Sequence, residues 1–288
     1  MIASINSLTK QKLMGLAMVS PALLLFLLFS VYPLISGVIL SFYDASVFGK
    51  AFIGLGNYRE IFTNQRFWKG FVNVLKFTAI SIPVEIFLPL FIGALAVRLS
   101  KALQFTVRFA FYIPNLAAGV VIASVWKWIF HPSRGILNWL LGIDIAWLAE
   151  NPYAFYAITI MMLSSVMGMT VIIYMAAFSA INKDLYEAAK LDGCGEWGEL
   201  IHVTIPQILP IMMFIAITRT IGVLQIWQLP FLMTGGGPNY GTTTITLQIY
   251  QNGFQFQRWG YASALGVVLL VLTLIFSVTQ KYLFRGRE

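Results

Sequence analysis

Long apolar runs separated by short polar intervals dominate this sequence. A bilayer core is roughly 30 Å thick, so a helix needs about 20 apolar residues to cross it. Six runs reach that length, which predicts an all-α polytopic membrane protein with six transmembrane helices. The predicted spans are about 13–42, 71–97, 106–130, 153–179, 207–232 and 261–283. They divide the chain into an N-terminal segment (1–12), a transmembrane domain (13–283) and a tail (284–288).

Basic residues indicate how these spans are oriented, because loops rich in Lys and Arg stay in the cytoplasm. Cations flank one set of span ends, at Lys10, Lys12, Arg98, Lys101, Arg108, Lys281, Arg285 and Arg287. The opposite side also carries cations in its first loop, at Lys50, Arg59, Arg66 and Lys69, but less densely. The pattern predicts that both termini and the interval 180–206 face the cytoplasm.

Composition supports a membrane protein and excludes several other functions. The chain is 59% hydrophobic and only 10% charged, and its net charge of +8 is explained by membrane topology without nucleic acid. Cys194 is the only cysteine, so a disulfide framework is excluded and no metal site is predicted. The sequence contains no H-E-x-x-H, no G-x-S-x-G and no P-loop, so we expect neither an enzyme nor an ATP site in this chain.

The polar interval 180–206 has a helical pattern of its own. Asp184 stands three residues before Glu187, as in a capping box, and predicts the start of a short helix. Gly193 and Gly195 are expected to end it, and a second short helix is expected from 196 to 204, ended or redirected at Pro206. A plain solvated connection is the alternative, but the interval is long for one and its apolar residues require a partner surface.

Several stretches of the sequence resemble the sugar-permease branch of the binding-protein-dependent ABC importers. Glu187, Ala188 and Ala189, followed by Gly193 and by Val203, Ile205 and Pro206, resemble the EAA motif of these permeases. Four further stretches are similar to the maltose and glycerol-phosphate systems: FIGLGNYREIF with FW at 67–68, 113–138, MTGGGPNYGTTT and WGYASALGVVLL. Together these stretches cover nearly the whole chain.

The resemblance implies a set of partners. The interval 180–206 would be a coupling loop seated on an ATP-hydrolysing subunit, present in two copies, which uses the ATP and Mg²⁺, whereas this chain binds no cofactor. The expected coupling residues are Glu187, Ala188, Ala189, Asp192, Gly193 and Pro206. The other pore half would be a second, different permease, and an extracytoplasmic binding protein would deliver the solute to the opposite face. The location would be the inner membrane of a bacterial or archaeal cell.

A glycine-rich turn, Gly235, Gly236, Gly237 and Pro238, follows the fifth predicted span. It is not a phosphate-binding loop because no lysine follows, so we interpret it as a strained outer turn. The residues after it, 242–256, have a mixed amphipathic character. In the resembled family, such outer loops contact the binding protein.

Two charged residues fall inside predicted spans, where they are costly unless they are paired or face a cavity. Glu85 lies 12 residues from the inner end of span two and Arg219 lies 12 residues from the inner start of span five, so both are roughly 18 Å deep. We expect them to neutralise one another or to share a wet cavity near mid-membrane. A structural clamp is favoured over direct substrate contact.

A stripe of Thr218, Gly222 and Gln225 on span five suggests where a solute could pass, with Trp227, Gln228 and Tyr174 as further candidates. Amides and aromatic rings suit a polyhydroxylated sugar, although helix packing explains the same residues. A di- or oligosaccharide is favoured. Arg219 keeps a glycerol-phosphate-type solute open. An ion-coupled secondary transporter is disfavoured because few acids lie inside spans, and a membrane enzyme or receptor because catalytic groups are missing.

Overall fold

The computed structural model describes residues 2–117 and 119–285, and helices run through most of them. The helices are α1 (Ile2–Phe26), α2 (Tyr32–Leu40), α3 (Gly56–Thr63), α4 (Gln65–Val97), α5 (Lys101–Leu116), α6 (Gly119–Ile129), α7 (Ile136–Leu141), α8 (Tyr153–Ser179), α9 (Lys183–Leu191), α10 (Glu196–Gly198), α11 (Ile205–Leu224), α12 (Gln228–Thr234), α13 (Ile245–Tyr250) and α14 (Trp259–Arg285). Three π-helical stretches continue α1, α10 and α13: Leu27–Val31, Glu199–Thr204 and Gln251–Gln255. One antiparallel hairpin joins β1 (Tyr43–Ser46) to β2 (Gly49–Phe52). The all-α prediction is confirmed.

Within the described ranges, five helices are long and apolar enough to cross a membrane: Met14–Leu40, Gln65–Val97, Tyr153–Ser179, Glu196–Leu224 and Trp259–Leu283. A sixth span results if α5 and α6 are counted together, but these two helices meet at 98°. The expected continuous helix over 106–130 is therefore wrong. Pro114 lacks the N–H that would bond to the preceding turn, and three residues later the extended backbone of Ala117 (ψ 137°) ends α5.

The fifth predicted span, 207–232, differs from the structure at both ends. α11 ends at Leu224, Gln225 leaves the helical conformation (φ −97°, ψ 11°), and α12 begins separately at Gln228. At the other end, α10, the π-helical stretch and α11 form one continuous helix from Glu196 to Leu224. The predicted span 207–232 and the observed α11 and α12 cover the same apolar run, but hydropathy did not reveal the backbone break between the two helices.

The helical core is built where α4 packs along α8 and α11. Glycines allow some of these close approaches. A Cβ on Gly93 would meet the Tyr174 Cβ at 3.1 Å, and a Cβ on Gly168 would lie 1.8 Å from the Phe111 carbonyl oxygen, so α5 contacts α8 backbone to backbone. Further along α4 and α8, Phe77 stacks on Phe155 with ring centroids 4.2 Å apart.

The hairpin and α3 cover the N-terminal end of α14. The Asn57 amide donates to the Ser41 and Tyr43 carbonyls, both at 2.9 Å, and ties α3 to the hairpin. Arg258 binds Glu60 through two hydrogen bonds of 2.8 and 2.7 Å, and this side-chain hydrogen bond raises the pKa of Arg258. These contacts lie at the end of the molecule opposite the α9 loop.

Candidate functional site

The loop between α8 and α11 begins with a well-formed helix, α9. Its N-cap is Asn182, whose side-chain oxygen accepts a hydrogen bond of 3.1 Å from the Asp184 N–H. The expected capping box starting at Asp184 is therefore wrong by two residues, although the helix itself is present. Asp184 lies in the first turn and Lys190 in the last, where their charges complement the helix dipole.

Gly193 turns the chain after α9. Its φ of +79° is a left-handed conformation that glycine adopts without a steric penalty. The Gly193 N–H donates to the Lys190 carbonyl at 3.0 Å and the Cys194 N–H donates to the Ala189 carbonyl at 2.9 Å, so the last carbonyls of α9 are satisfied. The predicted end of the helix at this glycine is confirmed. Asp192 is exposed beside it.

The second segment of the loop does not end at Pro206, as was expected. It runs into α11 without a break, even though Pro206 lacks the N–H that would bond to the preceding turn. The π-helical stretch Glu199–Thr204 absorbs the irregularity just before the proline. Pro206 itself is exposed. The loop is therefore physically one piece with the longest part of the fifth span.

Side chains hold α9 against this continuous helix. The Tyr186 hydroxyl lies 2.9 Å from the Thr204 hydroxyl, and the Lys190 ammonium lies 4.0 Å from a Glu199 carboxylate oxygen. The Arg98 guanidinium, at the end of α4, contacts Glu196 at 3.0 Å. The exposed Arg98–Glu196 pair adds little energy by itself. The geometry of these contacts nevertheless links α9, α10 and the end of α4 into one unit.

One side of this unit is apolar and uncovered in the chain, and we call it the loop face. Its members are Leu185, Glu187, Ala188, Leu191, Trp197 and Ile201. Leu191 is 91% exposed and Trp197 is 71% exposed, although both would gain from burial. Ala189, the third residue of the EAA triplet, is instead buried on the inner side of α9. An apolar patch with a carboxylate on it is typical of a protein interaction site.

The two intramembrane charges lie on neighbouring helices but do not form a direct ion pair. Glu85 on α4 is 1% exposed, and neither of its oxygens has a hydrogen-bond partner among the described residues. The Arg219 guanidinium on α11 instead donates to the Thr170 hydroxyl on α8 at 3.2 Å. No hydrogen bond or ion pair joins Glu85 to Arg219 in the structure, so their mutual neutralisation stays a prediction. A shared wet cavity stays a prediction.

The stripe on α11 is only partly assembled as expected. Thr218, Gly222 and Gln225 are all exposed along one face. Gln228 belongs to α12, after the break, and its amide packs against Gly119 at the start of α6.

Two of the other candidates are occupied by packing contacts. Trp227 stacks on Tyr250 with ring centroids 4.5 Å apart, so one face of its ring is covered. Tyr174 is fully buried and lies against Phe178 and Leu90, away from the exposed stripe. The structure therefore does not bring Tyr174 into the candidate pathway.

The glycine-rich turn after α12 is strained, as the sequence predicts. Gly235 and Gly236 have φ values of 64° and 95°, and the non-glycine residues Asn239 and Tyr240 also have positive φ, at 47° and 60°. Such conformations persist only where surrounding contacts enforce them. Gly237 and Pro238 complete the turn, and its backbone at Gly241 approaches Asn151 closely.

Sequence reasoning missed the residues that hold this turn. The Asn73 amide on α4 donates to the Tyr240 and Thr243 carbonyls at 2.9 and 3.0 Å, and the Lys69 ammonium donates to the Asn239 carbonyl at 3.1 Å. The Asn151 amide donates to the Pro238 carbonyl at 2.9 Å. The signal was present, since Asn73 interrupts the apolar start of the second span. Within the described ranges, no cluster of His, Cys, Asp or Glu could hold a metal ion.

Residues 53–288 match the family described as binding-protein-dependent transport system inner membrane component. The chain belongs to this family. Permeases of this kind are subunits of ABC transporters and not enzymes, and in these systems the ATPase is a separate subunit. The chain is accordingly a multi-pass membrane protein. The resemblance to ABC importer permeases that the EAA motif indicates is therefore confirmed.

Curated relatives align along nearly the whole chain. The probable ABC transporter permease protein YurN of Bacillus subtilis is 33% identical over 276 residues, which cover 92% of this chain and 94% of the relative. The sulfoquinovosyl glycerol transport system permease protein SmoG of Agrobacterium fabrum is 33% identical over 284 residues, covering 96% and 92%. The lactose transport system permease protein LacF of Rhizobium radiobacter is 30% identical over 282 residues, covering 95% of each.

A solved structure has the same fold. A bacterial alginate ABC transporter, in complex with an alginate pentasaccharide-bound periplasmic protein, contains a chain that matches with a TM-score of 0.81 at 24% identity. The alignment covers 96% of this chain and 96% of that chain. A methionine ABC transporter in an inward-facing conformation matches with a TM-score of 0.55 over 77% of this chain.

Proposed function

We propose that this permease forms one half of the pore of an ATP-driven importer that carries a sugar, a di- or oligosaccharide, into the cytoplasm. The observation that carries the proposal is the loop face, an uncovered apolar surface on a rigid loop that is continuous with a transmembrane helix. Relatives named for lactose, trehalose and maltose, and sulfoquinovosyl glycerol transport support a sugar as the solute.

The loop face is the docking surface for the ATPase. ATP and Mg²⁺ act in that subunit, and this chain contributes a shaped contact: Leu191 and Trp197 for burial and the exposed Glu187 for a basic partner. Because Tyr186 of α9 contacts Thr204, and Glu196 of α10 contacts Arg98, displacement of the loop would be transmitted to α11 and to the end of α4. ATP-driven closure of the ATPases would in this way convert the pore from inward-facing to outward-facing.

A second, homologous permease completes the pore as a heterodimer. The first long helix, Met14–Leu40, has no buried residue in this chain, although it is the most hydropathic of the spans. Its exposed side chains require either lipid or protein around them, and a partner permease would cover part of them. The exposed polar stripe of Thr218, Gly222 and Gln225 would then face the partner across the solute pathway.

The strained turn at the opposite end of the molecule from α9 is the proposed contact for the solute-binding protein. Gly235, Gly236, Gly237 and Pro238 form its base, and Tyr240 presents a ring that is 44% exposed. Contacts with Asn73 and Lys69 fix this turn before any partner arrives, which reduces the entropy cost of binding. Both termini and the α9 loop would then lie in the cytoplasm.

Reconstitution tests this function. The chain is purified with its candidate permease partner, ATPase and binding protein, and uptake of labelled oligosaccharides into proteoliposomes is measured. We expect uptake only when ATP and all components are present. Uptake by this chain alone, or uptake driven by an ion gradient without ATP, contradicts the proposal.

Cross-linking tests the docking surface separately. In a Cys194→Ser background, Ala188→Cys on the loop face should form a cross-link to a cysteine-bearing ATPase within the assembled complex. Lys50→Cys, on the hairpin at the other end of the molecule, is the matched control and should form none. Equal cross-linking of the two variants, or none from Ala188→Cys in a complex that hydrolyses ATP, excludes the loop face as the contact.

A further inference from the structure

A cavity of 610 Å³ opens on the surface between the beginnings of α4 and α8. Two cations line it, Lys69 and Lys76, both on α4. Trp68 and Tyr156 line it as well, and these rings are 46% and 49% exposed. None of these residues belongs to the loop face or to the stripe on α11, but Asn239 and Tyr240 of the strained turn also line the cavity.

The two lysines lie on one face of α4. They are seven residues apart, so they share a helix face and their Cα atoms lie about 10.5 Å apart along the axis. The Cα–Cβ bonds of a helix lean toward its N-terminus, and lysine extends its ammonium toward water. The side chain of Lys76, the deeper residue, is long enough to extend back toward the level of Lys69.

Both ammonium groups have N–H donors that make no hydrogen bond to the described residues. Lys69 uses one N–H on the Asn239 carbonyl at 3.1 Å, which leaves two. Lys76 is exposed and makes no hydrogen bond or ion pair with any described residue. Two cations at one mouth, with no acid among the described residues that line it, form a site that attracts an anion.

The exposed face of α4 beyond Lys76 is apolar. Ile80, Phe87 and Leu88 are 39%, 52% and 42% exposed, and on α8 Ile160 follows Tyr156 by one turn and is 42% exposed. This face contrasts with the stripe on α11, which exposes a hydroxyl and an amide. An apolar face below a cationic and aromatic rim matches the order of hydrocarbon, interface and headgroup in a bilayer.

We propose that this cavity binds the headgroup of an anionic phospholipid. The phosphate lies between the ammonium groups of Lys69 and Lys76, the rings of Trp68 and Tyr156 lie at the interface level, and an acyl chain follows Ile80 and Ile160. Because Lys69 also holds the Asn239 carbonyl, the bound lipid contacts a residue that fixes the strained turn. The assignment requires only that the chain lies in a membrane, and it does not depend on the solute.

Native mass spectrometry of the purified, intact transporter complex tests the site. The complex is delipidated and then incubated with phosphatidylglycerol or with zwitterionic phosphatidylcholine. We expect wild type to retain phosphatidylglycerol preferentially. Lys76→Gln should reduce its retention about five-fold, the effect of one lysine near an anionic surface. Arg59→Gln removes the same charge from exposed α3, outside the cavity, and should retain it like wild type.

Four results overturn the proposal. One is equal retention of the two lipids by wild type. Another is an equal loss for Lys76→Gln and Arg59→Gln. The third is displacement of the lipid by millimolar glycerol phosphate or inorganic phosphate, which would assign the site to a soluble phosphate. Dissociation of the two permeases in Lys76→Gln with unchanged lipid retention would assign Lys76 to an acidic residue of the partner, which also rejects the lipid.

Discussion

The turn after α9 offers a test of how the ATPase is coupled to the pore. A side chain added at Gly193 changes the backbone preference without meeting any neighbouring atom. A Cβ at Gly193 would meet nothing within 4 Å, but the φ of +79° is left-handed. A side chain in that conformation costs about 1–2 kcal/mol. Gly193→Ala therefore disfavours the native turn about 5- to 30-fold relative to other backbone conformations.

We expect Gly193→Ala to insert and assemble, since the substituted position is exposed and has open space around it. ATP-dependent uptake by the reconstituted transporter should fall by up to about 5- to 30-fold, the factor by which the native turn is disfavoured. Gly193→Asn should recover part of the loss because asparagine tolerates the left-handed region better than alanine. The measurement is the rate of uptake per ATP hydrolysed, together with the amount of ATPase that co-purifies.

Gly195 provides a matched control two residues away. It also has open space for a Cβ, but its φ is −79°, which any residue adopts. Gly195→Ala should therefore transport close to the wild-type rate. Unchanged coupling in Gly193→Ala, or an equal defect in Gly195→Ala, would show that the left-handed turn does not position the loop face.

Two further substitutions test the interior of the protein. Removing one partner of a buried ion pair lowers the free energy of unfolding by about 3–5 kcal/mol. Glu85 has no direct pair with Arg219 in the structure, so Glu85→Gln should lower it by less than about 1 kcal/mol. A larger loss of thermal stability of the purified complex would show that the two are paired in the membrane. Gln225→Ala should raise the sugar concentration for half-maximal uptake about 3- to 10-fold, the effect of one hydrogen bond. Gln207 is exposed near the other end of α11, and Gln207→Ala should leave the sugar concentration for half-maximal uptake unchanged. An equal effect of Gln225→Ala and Gln207→Ala would remove Gln225 from the pathway.

Hydropathy was sufficient to predict the membrane helices, because the length of a span follows from bilayer thickness. It could not reveal where those helices break. The 98° bend after α5 had a visible signal in Pro114, which removes a backbone donor. The break at Gln225 also had a signal, in Pro230, which lacks the N–H that would bond to the Ile226 carbonyl. The contacts of α12 with α6 and α8 lie beyond the reach of hydropathy.

The candidate sites were predicted to different degrees for a similar reason. The turn at Gly193 and the strain near Gly236 are local, so residue type alone indicates them. The partners of a buried group depend on helix rotation, and the sequence does not specify that rotation. Depth along the spans suggested that Glu85 would meet Arg219, whereas packing directs the guanidinium to Thr170. Asn73 was missed because its role is to bond a turn that is distant along the chain.

The uninterrupted helix from Glu196 to Leu224 has a geometric consequence. Its 29 residues span about 43 Å, so an angular displacement of about 5° at the ATPase end carries the far end about 4 Å sideways. α12 does not share this helix and stays against α6 and α8. In the proposed mechanism, the non-helical residues between Leu224 and Gln228 would serve as a hinge beside Gln225.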